Sequence, residues 1–142
     1  MPPVGLIDTG AIIAILDKSE FWHRPCVEAL GSMRMPLLTT EAVLTELFHL
    51  IQARSLSVKE TWRFVRSGAL TVEPMLDADL PELQALMHQY ADRPMDFADA
   101  TLVRLAARKS MSLILTVDHD DFETYRLPGR KKFTILPRRS RQ

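Results

Sequence analysis

The chain has 142 residues, 46% of them hydrophobic and 25% charged, which suits one soluble globular domain with its own core and leaves no room for two of ordinary size. Net charge is zero but unevenly spread: residues 126–142 carry seven basic side chains and no acid, which leaves the first 125 residues at −7. No apolar run reaches the roughly 18 residues of a membrane span, no charged-then-apolar leader opens the chain, and Cys26 stands alone, so the expectation is a cytoplasmic protein without an internal disulfide.

Val4–Ile7 is a short, continuously apolar run, the pattern of a strand buried on both faces of a parallel sheet. Asp8-Thr9-Gly10 turns into an apolar helix over Ala11–Leu16, and a second helix is expected over Phe21–Met33. Pro36–Thr39 reads as a second strand, after which Thr39 or Thr40 caps a helix reaching about Ala53. Ser57 caps Val58–Ser67, which ends at Gly68. Leu70–Glu73 is a third strand, stopped by Pro74, and Leu80–Tyr90 is a helix with Pro81 in its first turn. Pro94 sets the entry to a helix capped by Asp96 and running to about Arg108. Leu113–Val117 and Phe133–Leu136 are the fourth and fifth strands, the last closed by Pro137. Strands alternating with helices predict an α/β fold on a parallel sheet, and no repeat, low-complexity tract or linker divides residues 1–142.

Four acids fall where acids are costly. Asp8 ends the first apolar run, Asp118 ends the fourth strand, and Asp99 lies one turn before Leu102 and Val103 on a half-buried helix. Glu46 sits between Val43 and Leu50, against the apolar stripe of its helix. Each also has an ordinary use. Asp8 and Asp96 can cap helices, Asp99 can complement a helix dipole, Asp118 can open a turn at His119-Asp120-Asp121, and Glu46 can reach water from a flank. Yet sites in parallel sheets form beyond the carboxyl ends of strands, and Asp8 and Asp118 share that rim. Like charges gathered there repel strongly unless a cation neutralises them.

An all-oxygen ligand set without His or Cys suits Mg²⁺ or Mn²⁺ rather than Zn²⁺. Such an ion activates water and stabilises an in-line phosphoryl displacement. The basic end, with Arg130, Lys131 and Lys132 together, reads either as a solvated tail or as a phosphate-binding patch beside the acids. Metal-assisted cleavage of a phosphodiester is the reaction that fits this set best.

Four segments occur in a recognisable order: Val4-Gly5-Leu6-Ile7-Asp8-Thr9-Gly10-Ala11, Thr40-Glu41-Ala42-Val43-Leu44-Thr45-Glu46-Leu47, Asp96-Phe97-Ala98-Asp99-Ala100-Thr101-Leu102-Val103 and Leu115-Thr116-Val117-Asp118-His119-Asp120-Asp121-Phe122. Together they resemble the PIN-domain nuclease family over nearly the whole chain. The resemblance implies a three-layer α/β/α sandwich around a parallel sheet of about five strands, and RNA cleavage with Mg²⁺ or Mn²⁺. Many bacterial members are VapC-type toxins, usually dimeric and held inactive by a cognate antitoxin. It assigns Asp8, Glu46, Asp99 and Asp118 to the acidic quartet and places Thr9 and Thr116 at the hydroxyl positions beside it. Asp96 lies three residues from Asp99, and Asp121 three from Asp118, so either pair can be offset by one turn. Asp99 is preferred because Asp96 already has a capping role, and Asp118 because it directly follows the strand; Asp96 and Asp121 remain auxiliary candidates. The expected activity is thus a Mg²⁺-dependent endoribonuclease, the toxin of a toxin–antitoxin pair. The alternatives are a housekeeping RNA-processing nuclease and a catalytically silent RNA- or protein-binding module. The intact quartet speaks against the silent module.

Overall fold

Residues 4–93 and 95–139 are described by a computed structural model. Pro94, expected to set a helix entry, and Ser140, Arg141 and Gln142 at the end of the basic segment lie outside the described residues.

Every apolar run expected as a strand forms one. Leu6–Ile7 (β1) leads into helices Thr9–Leu16 (α1) and His23–Gly31 (α2), and Leu37–Thr40 (β2) into Glu41–Leu50 (α3) and Val58–Val65 (α4). Leu70–Glu73 (β3) precedes Leu80–Gln89 (α5) and Phe97–Lys109 (α6). Leu113–Leu115 (β4) is followed by His119–Thr124 (α7), a hairpin of Arg126–Leu127 (β5) and Lys131–Lys132 (β6), and Thr134–Leu136 (β7). Five strands make one sheet in the order β3-β2-β1-β4-β7, and each neighbouring pair is parallel. Leu6 stands opposite Leu38 on one side and Ile114 on the other, so the shortest strand is the centre of the sheet. Its two residues are fully buried, as a strand covered by helices on both faces requires.

Helix α6 is the main helix of the core. Six apolar residues of its first ten positions are buried, and Asp99 and Thr101 are buried with them. Its entry is capped by Asp96, whose Oδ1 accepts the Asp99 amide at 2.7 Å. Its second half is tied to the chain before α5 by Asp79, which accepts from Arg104 Nε at 2.8 Å and Arg108 Nη1 at 2.5 Å while capping the Leu76 amide at 2.8 Å. Thr40 caps α3, and its hydroxyl lies 2.8 Å from that of Thr101, joining the β2–α3 corner to α6. Thr39 turns the other way, donating to the Ile7 carbonyl at 3.0 Å.

Some boundaries and two elements differ from expectation. Helix α1 starts at Thr9 rather than Ala11, because Asp8 acts as its cap; Gly10 is therefore helical and faces Val117, whose Cγ2 would lie 2.7 Å from a Cβ placed there. The helix expected to reach Ala53 ends at Leu50 and continues as a 3₁₀ turn, Ile51–Arg54. The expected turn at His119-Asp120-Asp121 is the start of α7, which buries Phe122. No hairpin was expected over Arg126–Lys132, since its strands are two residues long and lack apolar alternation. Among the described residues, no helix is long and apolar enough to cross a membrane.

Candidate active site

Backbone pairing sets the frame at the carboxyl edge of the sheet. The Asp8 amide donates to the Leu115 carbonyl at 3.0 Å, and the Thr116 amide to the Leu136 carbonyl at 2.9 Å, so β1, β4 and β7 stay in register to the rim. One residue further on, the side chains of Asp8 and Thr116 meet beside the Asp118 backbone. Thr116 Oγ1 donates to Asp8 Oδ2 at 3.0 Å and accepts the Asp118 amide at 3.0 Å, linking the two acids through one hydroxyl. The Asp8 Oδ1 accepts the Thr9 amide at 2.7 Å. Thr9 itself is buried, its hydroxyl turned to the Val43 carbonyl at 3.5 Å.

The first turn of α6 brings Asp99 to this group. Asp99 is 6% exposed, and its Oδ2 accepts the Tyr125 hydroxyl at 2.8 Å. One carboxylate oxygen each from Asp99, Asp118 and Asp121 lie within 4.8 Å of one another. Burial, opposed by the Thr9 and Thr116 hydrogen bonds, pushes the Asp8 carboxyl up to about 7, with Glu46 and Asp118 adding like charge. Burial and the charges of Asp8, Asp96 and Asp118 push Asp99 up to about 8, against the Tyr125 hydrogen bond. Asp118 opens to solvent at the mouth of the group; partial desolvation and then Asp121 raise it to about 6. Glu46, half-buried on α3, is close enough for its charge to be felt at Asp8. Beside it runs a shallow apolar trough lined by Ala42, Thr45, Asp96, Phe97 and Ala98.

The four acids expected to form the site therefore act on one another at one rim, with Thr116 between them. Asp121 stands inside the same oxygen cluster, not a turn away from it. Asp96 serves as the α6 cap, is exposed, and reaches the cluster only through its charge on Asp99. Asp118, expected as a half-buried acid, is exposed because it is the first residue beyond the covered edge of β4 and Val117. Tyr125 was missed altogether. It is a fully buried ring whose partner is 26 residues away, and nothing local in the sequence marks the pairing.

The basic end divides in two. Arg130 and Lys131 sit at the hairpin tip, against Ala106, Ala107 and Ser110 at the far end of α6 from Asp99, and Lys132 stands opposite Arg126 in the hairpin. Beside the acids is Arg139, paired with Asp120 and with Glu123 Oε1 at 3.1 Å. Arg93 adds a second cation, 3.7 Å from Asp121 Oδ1 and 3.1 Å from the Asp120 carbonyl. The expected patch of Arg130, Lys131 and Lys132 thus does not border the acidic rim; the chain turns away along the hairpin before β7 brings it back.

The donor set tests well against a hard divalent cation. It offers carboxylate oxygens from separate elements, three with raised proton affinity, and among the described residues the one cation paired to the cluster is Arg93, at Asp121. A group that prefers protons at neutral pH when bare will exchange them for a dication.

Comparison with known proteins agrees with this geometry. A family profile described as PIN domain matches residues 5–127. Ribonuclease VapC26 of Mycobacterium tuberculosis (strain ATCC 25618 / H37Rv) is 30% identical over 134 residues, covering 93% of this chain and 99% of that protein. The crystal structure of Mycobacterium tuberculosis VapC20, described as a sarcin-ricin-loop-cleaving toxin, superposes with a TM-score of 0.72 at 17% identity, covering 82% of this chain and 93% of its own. A five-stranded parallel sheet flanked by helices, an acidic rim at its carboxyl edge and these matches lead to one assignment: the chain belongs to the PIN-domain family.

Proposed function

We propose that this protein is a divalent-cation-dependent endoribonuclease of the VapC toxin type, with Mg²⁺ or Mn²⁺ held by Asp8, Asp99 and Asp118. The observation that carries the reading is the convergence of those buried or rim carboxylates, with proton affinities raised by burial and by one another and, among the described residues, no neutralising Lys or Arg paired to any of the three. The relative named a ribonuclease supplies the substrate class. When bound, the ion supplies Lewis-acid stabilisation of the phosphoryl oxygens and an activated water.

The chain's own residues do the rest. Thr116 fixes the Asp8 carboxylate and the Asp118 backbone in one orientation, so the rim is organised before any ligand arrives. Tyr125 holds one Asp99 oxygen and favours its charged form, leaving Oδ1 for a cation. Glu46, half-buried across the rim, is assigned to a cation or to the attacking water. Asp121 is an added oxygen donor in the same cluster. Arg139 and Arg93 offset the negative rim from its outer edge. Arg130, Lys131 and Lys132, at the far end of α6, serve a distal stretch of an RNA strand rather than the scissile phosphate. As a toxin the protein would act in the cytoplasm as a homodimer neutralised by an antitoxin. We further assign residues 1–142 to a single domain.

The direct test is cleavage of a labelled RNA pool by the purified protein with Mg²⁺, with Mn²⁺ and in EDTA, alongside the Asp99→Asn variant. Cleavage in metal, lost in EDTA and in the variant, is the expected pattern. Full-rate cleavage in chelator would sink the proposal.

A further inference from the structure

Phe21 is 80% exposed, more than any other large hydrophobic residue described. Its ring meets Trp22 edge to face, with centroids 5.3 Å apart and planes 87° apart, so the two rings form a corner. Trp22 is in turn seated on the His119 ring, 5.0 Å away and tilted by 40°. His119 is locked by the Pro137 carbonyl at 2.7 Å from Nε2, and it directly follows Asp118. Trp22, Val117, Asp118, His119, Asp120 and Arg139 line a cleft of about 250 Å³. The Trp22 ring, a guanidinium and a carboxylate of the acidic rim thus share one recess, and Phe21 stands against Trp22 beside it.

Aromatic rings that project from a surface at the edge of a phosphate-handling site suit the flat face of a nucleobase. Every base has such a face, and stacking tolerates any sequence. Bases inside a duplex are already stacked and cannot reach a side-chain ring. The surroundings favour a charged strand over an apolar protein face: Lys18, three residues before Phe21, is exposed, and Arg139 closes the cleft. Arg139 spends Nη2 on Asp120 and Nε on Glu123, leaving Nη1 for a phosphate oxygen.

The geometry points to a seat for one unpaired nucleobase flanking the bond that is cut, with Phe21 as stacking surface, Trp22 as its backing and Arg139 as the contact for the adjoining phosphate. This rests on the nuclease reading for the cut itself.

The test uses the full chain carrying Asp99→Asn to block cleavage and Trp62→Phe to leave Trp22 as the sole tryptophan. Trp22 fluorescence is titrated in Mg²⁺ with an unstructured oligoribonucleotide, a strand of the same length made of abasic ribose phosphates, and a blunt RNA duplex. Quenching by the first alone is expected. Phe21→Ala should weaken its binding roughly tenfold, the scale of one lost base stack, while Phe21→Tyr, which keeps a stacking ring and Trp22 as the sole tryptophan, keeps it near wild type. Because Phe21 is so exposed, neither change threatens the fold. Equal quenching by the abasic strand, or an unchanged Kd in Phe21→Ala, overturns the inference. So does a Phe21→Ala variant that alters sedimentation but not RNA affinity, since the ring would then belong to a protein contact. A protein that cuts no RNA while Trp22 still reads bases would remove the nuclease reading and leave the seat standing.

Discussion

Asp79 and Asp99 are two acids of nearly equal burial, 2% and 6% exposed, and both are bound up with α6. Their surroundings are opposite. Asp79 accepts from the Leu76 amide and from two arginines on α6, and these hydrogen bonds hold its carboxyl below the ordinary range. Asp99 is pushed up first by burial and then by the charges of Asp8, Asp96 and Asp118, against the one Tyr125 hydrogen bond. Burial alone therefore does not separate an acid that holds a fold from one that does chemistry. What separates them is whether the chain itself supplies the opposite charge. Where the charge is left out, something from outside has to bring it.

The sharpest way to press this contrast is to remove one charge from each. Asp99→Asn should lower RNA cleavage by 100-fold or more, about 2.7 kcal/mol or more of lost transition-state stabilisation, read by single-turnover kinetics. Its metal-free stability should equal or exceed that of wild type, because a repulsive charge has gone. Asp79→Asn should do the reverse. Cleavage per folded molecule stays near wild type, while stability falls by roughly 2–3 kcal/mol as Arg104 and Arg108 lose their partner, a Tm loss of roughly 6–12 °C in a domain of this size. If Asp79→Asn proved neutral in a thermal melt, the contrast would dissolve.

Metal gives the next largest effect. Mg²⁺ at 100 times its Kd should stabilise wild type by about 2.7 kcal/mol, and it should do the same for Asp79→Asn. Asp99→Asn should respond much less. Thermal melts with Mg²⁺ and with EDTA check all three proteins.

Acidity separates the two carboxylates by sign. Folding raises Asp8 to about 7 and Asp99 to about 8, so between the ordinary carboxylate value and those values the folded state binds more protons than the unfolded. Metal-free stability should therefore fall as pH rises from 5 to 8, by a few degrees in Tm, and Mg²⁺ should flatten the slope. Asp79, lowered on folding, contributes stability that is present above the ordinary carboxylate value and is lost as pH falls below it. Its signature belongs at pH 2–4, and Asp79→Asn should erase it there.

The smallest expected effect is at Tyr125→Phe. Losing a hydrogen bond that favours the charged carboxylate should raise Asp99 further and cut cleavage about fivefold near pH 6.5, roughly 1 kcal/mol. The deficit should shrink towards pH 8.5. A pH-rate profile parallel to wild type would show that Tyr125 only fills space.

Much of this was readable in advance. The five sheet strands are apolar runs bounded by Pro, Gly or Asp, and Asp8 and Asp99 stood out because they interrupt apolar patterns. Helix α7 and the β5–β6 hairpin were not readable. Lys131-Lys132 has no apolar face, and strands two residues long leave no period by which its pairing with Arg126–Leu127 could be read. The count of basic residues near the end was plain, but their split was not. Three of them go to the far end of α6 and Arg139 goes to the rim, and only the course of the hairpin decides this. Contacts such as Tyr125 to Asp99 and Trp22 to His119 join residues with no shared local pattern, so no periodicity reports them.

The hydrogen bond from Thr116 to Asp8 spans 108 positions of the chain. At synthesis rates of roughly 5–20 residues per second, Asp8 leaves the ribosome roughly 5–20 s before its partner. For nearly all of that interval the central strand β1 lacks β4, and the acidic rim is missing Asp118 throughout and Asp99 for most of it. On the nuclease reading proposed above, a growing chain would hold an incomplete rim until Asp118 is made. The parallel order of the sheet thus completes that rim only once β4 has been made and paired with β1.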